Sequence, residues 1–267
     1  MYGSNLVGIS PEWLGSIYYN ADPARLSIPG VRARHASLFA QLDQQADPAE
    51  CALLFQQEMD LWFGLHQLNH DKHGKRRFRS HYLSLLNGWA FDASSIEGAV
   101  LKGWVESRFG LQPCYHREPL GRFGSPSWMR YVEDKLNGRY LNNNMYMQLD
   151  LLYEFCQYML WRQAQPGQRH ITLYRGANSA SLACTEATQS ATRPCKCHGP
   201  VTVHLNNLVS FTARHDIADG FGDLILTVKV PLSKILFFNR LLPGHRIKGE
   251  HEYLVIGGEF RAEVSYL

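Results

Sequence analysis

The strongest constraint on this chain is a change of hydrophobic period near residue 167. Before it, apolar residues recur at helical spacing. After it they gather in short runs of Val, Ile, Leu, Phe and Tyr cut by turn residues. Pro48 to about Leu68 places Leu54, Leu61, Leu65 and Leu68 at i, i+7, i+11 and i+14, a stripe expected to face a core. Ser94-x-x-Glu97 reads as a capping box, followed by Ile96, Val100, Leu101, Trp104 and Val105 on one helical face. Met145 to Trp161 repeats the theme with Leu149, Leu152, Cys156 and Leu160. Glycine and proline cluster at 121–126 and 165–167. Beyond them, strands are expected at Ile171–Tyr174, Val201–Leu205, Leu208–Thr212, Leu224–Val230, Ile235–Phe238, Tyr253–Ile256 and Phe260–Val264, with a helical turn at Asp216–Phe221. Helices followed by strands define an α+β chain. Its expected parts are a helical N-terminal part, residues 1–167, serving as scaffold or partner platform, and a mostly β part, residues 168–267.

Composition narrows the class without naming a chemistry. The chain has 267 residues, 45% hydrophobic and 12% aromatic, enough for a core that needs neither disulfides nor a metal. A formal charge of +3 argues against a protein that coats nucleic acid. The opening MYGSNLVGISPEWLGSIYYN lacks the basic and apolar regions of a secretory signal, and no run of 18 apolar residues suggests a membrane span. The six cysteines are scattered, so a reduced, cytoplasmic setting is expected. Cys195-Lys-Cys197-His198, with Cys184 and His204 nearby, is poorly spaced for structural zinc and reads as a polar loop. No metal is expected.

Three segments of the strand-rich part carry candidate chemistry. Leu173-Tyr174-Arg175-Gly176 ends a strand on an arginine whose planar fork suits a phosphate or carboxylate, followed by a glycine that admits close backbone approach. Val209-Ser210-Phe211-Thr212 alternates hydroxyls with an aromatic. Glu250-His251-Glu252 sets two carboxylates on one face at a strand entry, where their repulsion calls for a cationic ligand or a reaction that builds positive charge. Taken singly, each also reads as ordinary structure: a surface ion pair, a half-buried strand, a solvated strand end.

Their order is more informative. Arg, then Ser-x-Thr, then Glu-x-Glu resembles the R-S-E class of ADP-ribosyltransferases, with Ser210-Phe211-Thr212 standing where that class has Ser-Thr-Ser. The stretches from Ser80 to Trp89 and from Glu97 to Leu111 are similar to the dinitrogenase reductase ADP-ribosyltransferases of nitrogen-fixing bacteria, and the likeness runs through most of the chain. The resemblance implies an ADP-ribosyltransferase core and transfer of ADP-ribose from NAD+ to an arginine of the nitrogenase iron protein. It also implies control by a PII-type nitrogen signalling protein. By the same resemblance Glu252 is the catalytic carboxylate, Ser210 orients it, and Glu250 faces the incoming arginine. Arg175 then holds the phosphate and ribose region of NAD+, and Gly176 clamps the nicotinamide amide through its backbone. Phe211 and Phe221 are candidates either for stacking on nicotinamide or for the core.

Residues 239–249 occupy the place of the loop that reads the protein substrate, and residues 213–223 that of the loop over phosphate and nicotinamide. The basic run Lys72, Lys75, Arg76, Arg77 and Arg79 reads as a solvated loop or as a dock for an acidic protein; no nucleic-acid motif accompanies it. A catalytically silent NAD- or protein-binding adaptor is the competing reading, and the pair of carboxylates speaks against it.

Overall fold

The computed structural model describes residues 5–65, 69–70, 76–77, 81–138, 140, 143–178, 200–242 and 252–266. After short helical turns at Pro11–Leu14, Ile17–Ala21 and Val31–Arg34, the N-terminal part comprises α1 (Ala36–Gln44), α2 (Pro48–Phe63), α3 (Tyr82–Phe91), α4 (Ile96–Phe109), α5 (Pro126–Lys135) and α6 (Asn143–Gln163). The α+β expectation holds. Asn69–His70 pairs antiparallel with Arg76–Arg77 within the basic run.

Two local expectations are corrected. The buried side of α2 is Cys51, Ala52, Phe55, Met59 and Phe63, whereas Leu61 is 79% exposed and Leu54 and Leu65 are only partly buried; Leu68 lies outside the described residues. The leucines flank this buried face, on which Phe55 stacks on Phe155 of α6 with ring centroids 4.3 Å apart. The cap of α4 is Ser95, whose hydroxyl accepts the Gly98 N–H at 3.1 Å. Ser94 instead accepts the backbone N–H of Arg117. Glu97 accepts the Tyr140 hydroxyl at 2.7 Å. The expected apolar face of α4 is otherwise present, with Val100, Leu101, Trp104 and Val105 fully buried.

Five antiparallel strands follow: β1 (His170–Ala177), β2 (Val201–Thr212), β3 (Leu224–Pro231), β4 (Ile235–Phe238) and β5 (Glu252–Tyr266), with α7 (His215–Ala218) and a 3-10 turn (Asp219–Phe221) between β2 and β3. The lateral order is β2-β1-β3-β5-β4, and β5 also pairs with β2, so the sheet curls back on itself. Two pairs of expected strands are each continuous. Residues 201–205 and 208–212 join through a register shift between Leu205 and Leu208. Residues 253–256 and 260–264 join through Gly257 and Gly258.

Helix α6 fixes the sheet against the helices. Tyr153 donates to the Ser233 carbonyl at 2.7 Å, and Gln157 donates to the carbonyls of Leu232 and Ile235 at 3.0 and 2.8 Å. Asp150, on the same helix, accepts from Trp104 and twice from Arg108 of α4 at 2.7–2.8 Å. The Asn207 amide, at the irregularity in β2, donates to the carbonyls of Lys102 and Leu111. One apolar cluster runs from Leu14 through α2, α4 and α6 to Ala262, so helices and sheet bury a shared core.

Candidate active site

The cleft opens where two strands part. β1 and β2 are registered at the single pair Tyr174–Thr212, while β1 continues alongside β3 through Arg175, Gly176 and Ala177. At the parting, the Arg175 guanidinium takes the place of a backbone donor, giving an N–H to the Ser210 carbonyl at 2.7 Å. Burial pulls this guanidinium down from its ordinary value, but arginine stays protonated at neutral pH. Among the described residues no carboxylate pairs with it. Arg175 is partly buried, and its planar, charged fork suits an anionic ligand.

Glu252 opens β5 opposite Thr212, and Leu254 opposes Ser210. Alternation therefore sets Ser210 and Glu252 on one face as diagonal neighbours. The Ser210 hydroxyl donates to Glu252 Oε1 at 2.6 Å, a short charge-assisted bond. Burial pushes the Glu252 carboxyl up from its ordinary value, and the Ser210 bond opposes that rise.

The helical part completes the wall. Trp89, at the end of α3, donates its indole N–H to the Ser210 hydroxyl at 2.9 Å. Ala90, Phe91 and Ala93 continue the lining of a cleft of about 390 Å³. The opposite side is the 215–221 segment, which lies so close on β1 that a Cβ at Gly176 would sit 2.2 Å from the Ala218 carbonyl oxygen and 2.8 Å from Phe221 Cβ. Gly176 is thus required by packing, whatever its backbone does for a ligand.

The structure brings together the adjacent pair Arg175–Gly176, Ser210 and Glu252, drawn from three separate strands. Both phenylalanines line the cleft but differ in exposure. Phe211 is 2% exposed and packs on Phe260, with centroids 6.2 Å apart, whereas Phe221 is 69% exposed at the cleft. Glu250 and residues 243–249 lie outside the described residues, as do Cys184, Cys195, Cys197 and His198. Sequence reasoning missed Trp89 as part of the site. It stands 121 positions from Ser210, and its spacing within α3 is that of an ordinary core tryptophan.

Among the described residues no group of three or more His, Cys, Asp or Glu side chains is placed to hold a metal ion. No described helix is long and apolar enough to cross a membrane.

An Arg, a Ser and a Glu from three strands converge on one cleft. The family model described as dinitrogenase reductase ADP-ribosyltransferase (DRAT) matches residues 4–264. The chain is 45% identical over 271 aligned residues to the NAD(+)--dinitrogen-reductase ADP-D-ribosyltransferase of Rhodospirillum rubrum, covering all of this chain and 96% of that relative. The protein belongs to the dinitrogenase reductase ADP-ribosyltransferase family. No solved structure matches it.

Proposed function

We propose that this protein transfers ADP-ribose from NAD+ to an arginine of the nitrogenase iron protein and thereby inactivates nitrogenase. The observation that carries the reading is the hydrogen-bonded set Arg175–Ser210–Glu252 at one cleft in a chain of this family. The relative's printed name supports dinitrogen reductase as the protein substrate. A PII-type signalling protein as regulator rests on the family resemblance alone, and a cytoplasmic setting on the scattered cysteines.

The chemistry follows from the residue types. NAD+ enters with its pyrophosphate and adjoining ribose toward Arg175, whose guanidinium pairs with the phosphate charge. The bond between the ribose C1′ and the nicotinamide nitrogen breaks with its electron pair going to nicotinamide, which leaves neutral. The ribose becomes oxocarbenium-like, and the Glu252 carboxylate stabilises that positive charge. Phe221, exposed at the rim, offers a face for nicotinamide. The target guanidinium is protonated at neutral pH and a poor nucleophile. Glu250 holds it and accepts the proton lost as its nitrogen bonds to C1′, help typically worth about 10²–10⁴-fold.

Incubation with NAD+ labelled in its ADP-ribose moiety and purified iron protein tests the reading. Label covalently attached to an iron-protein arginine is the expected result. NAD+ binding without transfer would replace it with the silent adaptor.

A further inference from the structure

We propose that Trp89 is a positioning residue for the reaction, acting through Ser210 to aim and hold Glu252; the inference rests on Glu252 being the catalytic carboxylate. A serine hydroxyl has one proton and two lone pairs and turns freely about its C–O bond, so alone it donates to whichever acceptor is nearest. An indole nitrogen only donates. With Trp89 Nε1 2.9 Å from Ser210 Oγ, the hydroxyl must accept on that side, and its own proton is left for Glu252 Oε1 at 2.6 Å. Each bond polarises the next in such a chain. The indole thus fixes the direction of the Ser210 proton and, through it, one oxygen of the carboxylate.

The helices hold the indole rigidly. Trp89 is 4% exposed. Its neighbour Gly88 lets α3 lie directly on α4, since a Cβ there would stand 2.5 Å from Glu97 Cβ. Behind the ring, Lys102 Nζ of α4 sits 5.9 Å from the ring centroid and donates to the Tyr115 carbonyl at 3.0 Å. The helical part therefore contributes a polar group to the reacting centre in addition to a supporting surface.

The test is a double-mutant cycle on ADP-ribosyl transfer with Trp89→Phe and Ser210→Ala. Losing one buried hydrogen bond to the reacting machinery predicts a fall in kcat of about tenfold for Trp89→Phe. KM for NAD+ should stay within about twofold of the wild type. In the Ser210→Ala background the same Trp89→Phe change should cost less than about twofold, because the residue it acts through is gone. A tenfold cost in both backgrounds, or a wild-type kcat in the single variant, overturns the proposal. Replacing Trp89 with 3-benzothienylalanine keeps the bicyclic shape and substitutes sulfur for N–H. It should match Trp89→Phe, and a wild-type rate there would assign the indole to packing alone. Glu252→Gln, assayed alongside, separates the two levels. If it stays active the catalytic reading itself fails, whereas an inactive Glu252→Gln beside an unaffected Trp89→Phe sinks only the role of Trp89.

Discussion

Replacing Glu252 with glutamine isolates the charge on which the mechanism depends. Glutamine keeps the shape, and its Oε1 still accepts the Ser210 hydroxyl now held at 2.6 Å. A carboxylate about 4 Å from the developing positive charge, at an effective dielectric constant of about 20, contributes about 4 kcal/mol. Glu252 is partly buried, which suits that dielectric rather than bulk water. The expected loss is therefore about 10³-fold in kcat, for both transfer and NAD+ hydrolysis, with little change in KM for NAD+. Stability should move the other way. Burial raises the folded-state value of this carboxyl, so the folded protein binds the proton more tightly than the unfolded chain. The resulting penalty on stability grows as pH rises through the ordinary value and is complete above the raised one. Glu252→Gln should then unfold at a higher temperature than the wild type at neutral pH, and the gap should vanish in acid below the ordinary carboxylate range. Steady-state kinetics and thermal unfolding on one preparation check both. A folded Glu252→Gln protein within tenfold of wild-type kcat would refute the electrostatic argument.

Other outcomes follow from neighbouring features. Glu250→Gln should lose most arginine transfer while keeping measurable NAD+ hydrolysis, read as nicotinamide release without protein labelling; equal loss of both activities would collapse the division between the two carboxylates. Gly176→Ala forces a methyl against the Ala218 carbonyl and Phe221. It should raise KM for NAD+ by about tenfold or more by displacing the 215–221 segment, as initial-rate kinetics would show. Lys234 is fully buried, donates to the Gly257 carbonyl at 3.1 Å and lies over the Phe260 ring, and burial pushes it down from 10.5 to about 7. Its neutral form is favoured on folding, so stability should rise between about pH 7 and 10.5 by up to about 5 kcal/mol. Lys234→Met leaves a carbonyl unpaired at a cost of about 1–3 kcal/mol; urea unfolding should still find it the more stable protein at pH 6, with a flatter pH dependence.

Much of the fold was legible from local chemistry. Helical period, cap residues and β-rich runs act within a few residues of themselves. The faces of α4 and α6 and most strand spans therefore emerged from spacing alone. Errors arose where a choice depended on what lay opposite. The leucines of α2 were as apolar as its phenylalanines, and the side that turned inward is the one that meets α6, where Phe55 stacks on Phe155. The capping-box pattern pointed to Ser94, but that hydroxyl is engaged by the Arg117 N–H and the neighbouring Ser95 caps the helix. The interrupted runs at 201–212 and 252–266 read as separate strands because irregularities and glycines break the alternation while leaving the ladder intact.

The candidate site divides in the same way. The sequence alone determined which residue types were available and in what order: a strand-end arginine, a strand serine, and a glutamate at a strand entry. Tertiary structure decided that the three meet, because antiparallel register, a long-range property, sets Ser210 and Glu252 as diagonal neighbours. It also decided that Phe211 turns into the core while Phe221 stays at the rim. Above all it decided that Trp89 belongs to the site. A hydrogen bond spanning 121 residues depends on where α3 is packed against the sheet, and no local pattern in the chain encodes that position.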